Sequence, residues 1–190
     1  MSEIYIETHN PDWIFVFERE KERLLSRILI DGITVHHIGS TSVDGLAAKP
    51  IIDILMEVPD IETIDLFIGE FEKLGYEPKG EYGILGRRYF RKGKEKRTHH
   101  IHVFRSNSYN AVRHLAFRDY LVSHPLVAKE YQSIKIQAAE RCNGDNKRYC
   151  EIKNDFVVYH ENLAVQWTES VRQNDTDLPS IDQPDSSREN

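Results

Sequence analysis

The chain has 190 residues, 39% hydrophobic and 29% charged, with a formal net charge of −6 at pH 7. That is the composition of one ordinary globular domain able to bury its own core without staples. Two cysteines, Cys142 and Cys150, are too few for a disulfide framework or a zinc knot, and no run approaches the roughly 18 apolar residues of a membrane span.

The opening MSEIYIETHNPDW has no basic region leading into an apolar run, so no secretory signal, no membrane partner and a cytoplasmic protein are expected. Asn10-Pro11 is a helix start signal, and the residues after it, to about Ile30, place Trp13, Phe17, Leu24 and Ile28 near one helical face. ITVHHI (33–38) and KPIIDILMEV (49–58) read as strands joined by a loop of small residues. Asp60 is placed to cap a helix over 61–74. Strands separated by turns are then expected over 76–85, 87–93 and 98–105. Helical patterns follow over 110–124, over 125–142 from Pro125, and from about Lys147 to Thr168. This order predicts an α+β fold, a mixed sheet with helices packed on it and a C-terminal helical subregion from about residue 110, in one domain over 1–172. From Gln173 to Asn190 five acids stand against Arg188, and two aliphatic residues cannot offset the entropy of ordering the segment, so 173–190 is expected to be an acidic disordered tail. The body is then close to neutral, which argues against nucleic acid as a partner but not against a local basic site.

The loop after the first strand begins Gly39-Ser40-Thr41-Ser42. Such a turn lets backbone N–H groups and hydroxyls approach an anion, phosphate above all; it is equally the form of an ordinary strand exit. Asp53 sits on the face of its strand shared with Ile51, Leu55 and Glu57. A carboxylate there needs an ion-pair partner, hydrogen bonds or a metal. In THHIHVF, alternation puts His100, His102 and Phe104 on one face. If the strands are neighbours, His100 and His102 with His37 surround Asp53 as ligands of a divalent metal or as acid/base groups. The basic run RRYFRKGKEKR (87–97) is either a solvated hairpin tip or a phosphate clamp offering Arg87, Arg88 and Arg91. Lys49 and Arg118 are further candidates to hold phosphate or an acidic substrate.

The blocks HIGSTSV-GLAAKPIIDI (37–54), HHIHV (99–103), RHLAFRDYL (113–121), HP…A-EY---K (124–135) and KNDF (153–156) resemble the GrpB family, placed in the nucleotidyltransferase-like superfamily, over roughly residues 4–165. The resemblance implies that fold, a Gly-Ser turn matched by Gly39 and Ser40, and an acid-x-acid pair holding two Mg²⁺ ions against a nucleoside triphosphate. Asp53 matches the first acid. Leu55 stands where the second belongs, and His100 and His102 stand where a later acid is usual. In some bacteria such a domain is fused to dephospho-coenzyme A kinase, a nucleotide or cofactor context. The expectation is a nucleotidyltransferase-like protein. It would bind a nucleotide or phosphorylated small molecule at Gly39, Ser40, Thr41, Lys49, Arg88 and Arg118. A divalent metal (Mg²⁺ or Mn²⁺, with Zn²⁺ as a variant) would sit on Asp53, His37, His100 and His102, and Asp53, His100 and His102 would be catalytic. The alternatives are a non-catalytic nucleotide-binding module and a His/Asp metal-dependent hydrolase.

Overall fold

The computed structural model describes residues 4–94 and 96–176. Near the N-terminus the Asn10 side chain accepts the Asp12 N–H at 2.9 Å, and α1 (Trp13–Leu25) starts from that turn. It is shorter than expected, but Ile28 still donates its N–H to the Leu24 carbonyl at 2.8 Å and remains buried in the core.

Five strands follow: β1 (Thr34–Ile38), β2 (Ile52–Val58), β3 (Tyr76–Pro78), β4 (Arg88–Lys92) and β5 (His99–Arg105). They form one sheet in the order β1-β2-β5-β4-β3, in which β2 and β5 run parallel and the other pairs antiparallel. Between β2 and β3 the expected helix is split into a 3₁₀ segment (Glu62–Phe67) and α2 (Ile68–Lys73). Ile61, not Asp60, holds the cap position; Asp60 precedes it and accepts the Glu62 N–H at 3.3 Å and the Thr63 hydroxyl at 3.2 Å. Of the strand expected over 76–85 only Tyr76–Pro78 pairs. The rest is a loop that turns through Tyr82 at φ 44°, a conformation that no ladder accommodates.

The interior strand β2 buries apolar side chains on both faces. Ile52, Ile54, Met56 and Val58 pack with Ile101 and Val103 against Trp13, Phe17 and Leu24 of α1. On the opposite face Leu55, Ile38 and Phe104 pack against Ala111 of α3 (Tyr109–Ser123). Each fully buried aliphatic side chain is stabilised by about 1.5–3 kcal/mol relative to exposure. A slip of one residue would carry Asp53 into that core, so burial fixes the register. Asp53 and Glu57 are the only polar positions on the strand.

The last three helices form the C-terminal subregion. Ser108 caps α3, accepting from the Ala111 N–H. Pro125 opens α4 (Pro125–Arg141), and Asp145 Oδ1 accepts from the Lys147 N–H at 2.8 Å to start α5 (Asn146–Thr176). α5 passes Thr168, where the sequence pattern ends, and takes in 173–176 of the segment expected to be a tail; 177–190 lie outside the described residues. Among the described residues no helix is long and apolar enough to cross a membrane.

Candidate functional site

The ladder puts Asp53 beside Ile38 on one side and His100 on the other, with His102 beside Leu55 and, across the next pair, Tyr89 beside His102 and Arg91 beside His100. Paired residues share a face, so Asp53, His100, His102, Tyr89 and Arg91 stand together. The adjacency that the sequence leaves open therefore exists for His100 and His102.

Asp53 Oδ1 lies 3.1 Å from His100 Nδ1 and 3.9 Å from His102 Nε2, with the carboxylate partly open to solvent. Burial works against its charge, but the two imidazoles outweigh burial and hold the carboxyl well below the usual range. An ionised carboxylate only accepts, so His100 donates from Nδ1, and in the neutral ring the lone pair is on Nε2. His102 is oriented the other way. Arg87, a donor at every nitrogen, gives Nη1–H to His102 Nδ1 at 3.3 Å, leaving the proton on Nε2, toward Asp53. Burial also lowers the His102 pKa. Beneath it, His114 gives Nδ1–H to the Asn110 carbonyl at 2.6 Å and is pushed down to about 3 by burial.

Arg87 is buried although charged. It donates to the carbonyls of Glu81 at 3.1 Å and Tyr82 at 2.7 Å and lies over the Tyr89 ring, so one side chain joins the 79–87 loop to His102. Tyr82, 59% exposed, is thereby stacked on Tyr89 with ring centres 5.3 Å apart.

A cavity of about 720 Å³ opens beside this group, lined by Tyr82, Tyr89, His100, Lys49, Arg91, Lys94, Lys96, Arg97 and Asn146, with Glu7 the one acid among the described lining residues. Lys49 crosses the Tyr149 ring at 3.7 Å and bonds Asn146 Oδ1 at 2.8 Å; burial lowers its pKa. The basic run thus reaches the site, but through Arg91, Lys94, Lys96 and Arg97, while Lys92 binds Glu20 at 2.6 Å.

At the Gly-Ser turn, Gly39 adopts φ 71°, ψ −172°, and a Cβ there would meet Asp53 Oδ2 at 2.7 Å. Only glycine lets the turn lie this close to the carboxylate. Ser42 Oγ donates to the Gly39 carbonyl at 2.6 Å. Beyond the turn, Ala47 is held by α4, its N–H by Gln132 and its carbonyl by buried Lys135, whose pKa burial pushes down to about 7.

Four expected site residues stand elsewhere. His37 points to the α1 face, stacked on Phe17 at 4.7 Å, because odd and even positions of β1 face opposite ways. Burial pushes its pKa down to about 4. Thr41 is turned inward with it, its Oγ1 3.0 Å from His37 Nε2 and 3.4 Å from the Ile51 carbonyl it donates to, so that hydroxyl is not offered to a ligand. Arg88 alternates away from Tyr89 and Arg91 and binds Asp65 at 2.7 and 2.8 Å. Arg118 is held by Asp119 Oδ1 at 2.7 Å and the His37 carbonyl at 3.1 Å. Choosing Arg91 over Arg88 required the β4–β5 register. Tyr82 and Arg87 carry no periodic signal, because their loop has no period.

The donors do not fit a pair of divalent ions. Leu55 is fully buried in place of a second acid, and Glu57 is turned to His36 Nε2 at 3.2 Å and the Asn107 N–H at 3.1 Å. For His102 Nε2 to ligate a metal, its proton would have to move to Nδ1, against Arg87. Among the described residues no group of three or more His, Cys, Asp and Glu is placed to hold a metal ion.

Against known proteins, the family model described as GrpB protein matches residues 3–162. UPF0157 protein YqkA of Bacillus subtilis is 45% identical over 159 residues, 84% of this chain and 46% of that protein, so the chain spans about half the length of this relative. The crystal structure of conserved protein GrpB from Enterococcus faecalis superposes with a TM-score of 0.82 at 42% identity, covering 86% of this chain and 99% of that one. A chain of the GLD-2/RNP-8 complex superposes with a TM-score of 0.52 at 11% identity, covering 70% and 56%, a likeness of the nucleotidyltransferase-like fold alone.

Proposed function

The chain belongs to the GrpB family, and from that premise we propose that it binds a nucleotide or another phosphorylated small molecule in the cavity beside Asp53 and His100. One observation carries this reading: Lys49, Arg91, Lys94, Lys96 and Arg97 line one cavity where, among the described lining residues, Glu7 is the single acid, with Glu77 meeting Arg91 at 3.5 Å, on a chain whose net charge is −6. Such a concentration of cations is costly without an anion to meet it. A concave site of about 720 Å³ is of the size that holds a drug-sized ligand. The phosphates lie among the basic side chains, and the exposed face of Tyr82 offers a surface on which a base stacks. Gly39 and Ser40 are not among the residues that line the cavity; the turn bears on the site through the contact of Gly39 with Asp53, and Ser42 and Thr41 fasten it from within.

Within this reading Asp53 and His100 handle the chemistry. The expected metal on Asp53, and with it both the metal-dependent transferase and the His/Asp hydrolase, draws little support from the donor set. The test is calorimetric titration with ATP, with Mg²⁺ and with EDTA, on wild type and Arg91→Ala. Binding that survives EDTA and weakens about 10–100-fold in Arg91→Ala is expected, the loss of one charge-assisted hydrogen bond of about 1.5–3 kcal/mol. ATP binding that Arg91→Ala leaves unchanged would exclude this cavity as the site.

A further inference from the structure

Resting on the phosphorylated-ligand reading, we propose that His100 Nε2 is a nucleophile that takes a phosphoryl or nucleotidyl group from a phosphoric anhydride held in the cavity, without a metal ion. His100 lines the cavity, while its Nδ1–H is bonded to Asp53 at 3.1 Å. That bond fixes the tautomer of the neutral ring and its orientation. Among the described residues no hydrogen bond engages His100 Nε2, and it is absent from the buried side-chain atoms without a partner, so the lone pair meets the cavity. His102 cannot take this role, since its Nδ1 accepts from Arg87 and its Nε2–H points to Asp53.

The chemistry follows from what the site has and what it lacks. A hydroxyl acceptor must lose a proton as it attacks phosphorus, and in a metal-dependent transferase bound metal ions assist the transfer. A neutral imidazole nitrogen loses none. The N–P bond forms at His100 Nε2 as the P–O bond of the anhydride breaks. The electron pair leaves on the anhydride oxygen of the departing diphosphate or nucleoside diphosphate, whose charge is met by Arg91, Lys94, Lys96 and Arg97. The ring gains a positive charge, compensated by the Asp53 carboxylate, and no proton is exchanged. His100 is the catalytic residue and Asp53 a positioning residue.

The full chain is incubated with ATP labelled on either the α- or the γ-phosphorus, in EDTA and in Mg²⁺, and separately with phosphoramidate as a donor that needs no nucleotide recognition. Base-stable, acid-labile label is mapped by mass spectrometry, and ATP binding is followed in parallel by calorimetry. We expect label on His100 in EDTA, the α or γ position identifying the group transferred. His100→Gln, checked for folding by circular dichroism, loses the label, and Arg88→Ala, on the other face of the sheet, keeps it. Asp53→Asn slows labelling about 10–100-fold while retaining ATP affinity, a split that loss of structure would not give. Label that persists in folded His100→Gln overturns the proposal. So does wild type that binds ATP yet takes no label from ATP or phosphoramidate, an outcome that leaves the binding reading standing. Labelling of His100 by phosphoramidate without ATP binding overturns the nucleotide reading and keeps the nucleophile, whereas neither label nor binding overturns both.

Discussion

Replacing Gly39 by alanine tests the contact on which the site is built. The residue sits at φ 71°, ψ −172°, a region open essentially to glycine alone, where a non-glycine residue costs about 1–3 kcal/mol. The added Cβ would lie 2.7 Å from Asp53 Oδ2 and 3.1 Å from Asp53 Cβ, so the carboxylate must move and its bond to His100 Nδ1 is lost. A hydrogen bond to a charged group is worth about 1.5–3 kcal/mol, so the two effects together predict a loss of about 2.5–6 kcal/mol. For a domain of this size that corresponds to a fall in Tm of roughly 5–24 °C at about 2–4 °C per kcal/mol. Gly45 provides the control: its φ is also positive, at 74°, but a Cβ there meets nothing within 4 Å, so Gly45→Ala should cost only the strain, about 1–2 kcal/mol. Urea unfolding followed by the fluorescence of Trp13 and Trp167 measures both. On an Asp53→Ala background the Gly39→Ala cost should shrink to the strain and the remaining Cβ–Cβ contact at 3.1 Å, the mark of two residues that couple. Equal costs for Gly39→Ala and Gly45→Ala would refute the reasoning.

Acid should weaken the fold in two windows. His37 is held neutral to about pH 4 in the folded state, whereas an unfolded imidazole takes up its proton near 6.5. The unfolded state therefore binds more protons between those values, and stability present above pH 6.5 is lost as pH falls toward 4, by about 3 kcal/mol for this residue. Urea midpoints measured across that range should fall less steeply in His37→Gln, the remaining slope coming from His99 and His114, which burial also holds neutral. Asp53 acts lower: its depressed carboxyl stabilises the fold above about pH 4, and that contribution is lost as pH falls further, so Asp53→Asn should be less stable at pH 7 but lose less below pH 4. In nucleotide titrations Arg91→Ala and Lys49→Ala should each weaken binding about tenfold or more, with a smaller salt dependence, whereas Arg88→Ala should change affinity less than twofold because its side chain is held by Asp65 on the opposite face.

Much of the molecule is written in local pattern. The apolar alternation of 49–58, the start signals at Asn10 and Pro125, and the small-residue turn at Gly39 follow from chain geometry and residue chemistry, and they suffice for an α+β chain in which Asp53 lies on a strand following a Gly-Ser turn. Period 2 likewise puts His100 and His102 on one face, because alternation is a property of any strand. What the pattern leaves open is which strands are neighbours and which face meets which helix. Those are settled by burial of Leu55, Ile54 and Phe104 from both sides of β2, a condition on the whole core. That packing brings His100 to 3.1 Å from Asp53 and turns His37 away toward Phe17, a residue twenty positions earlier in the chain. It also sends Arg91 to the cavity and Arg88 to Asp65, although the two are three residues apart on one strand. Arg87, in a loop with no period to read, acquires its hold on His102 only when β4 lies beside β5, because the bond joins residues whose meeting depends on a long-range pairing that no local signal encodes.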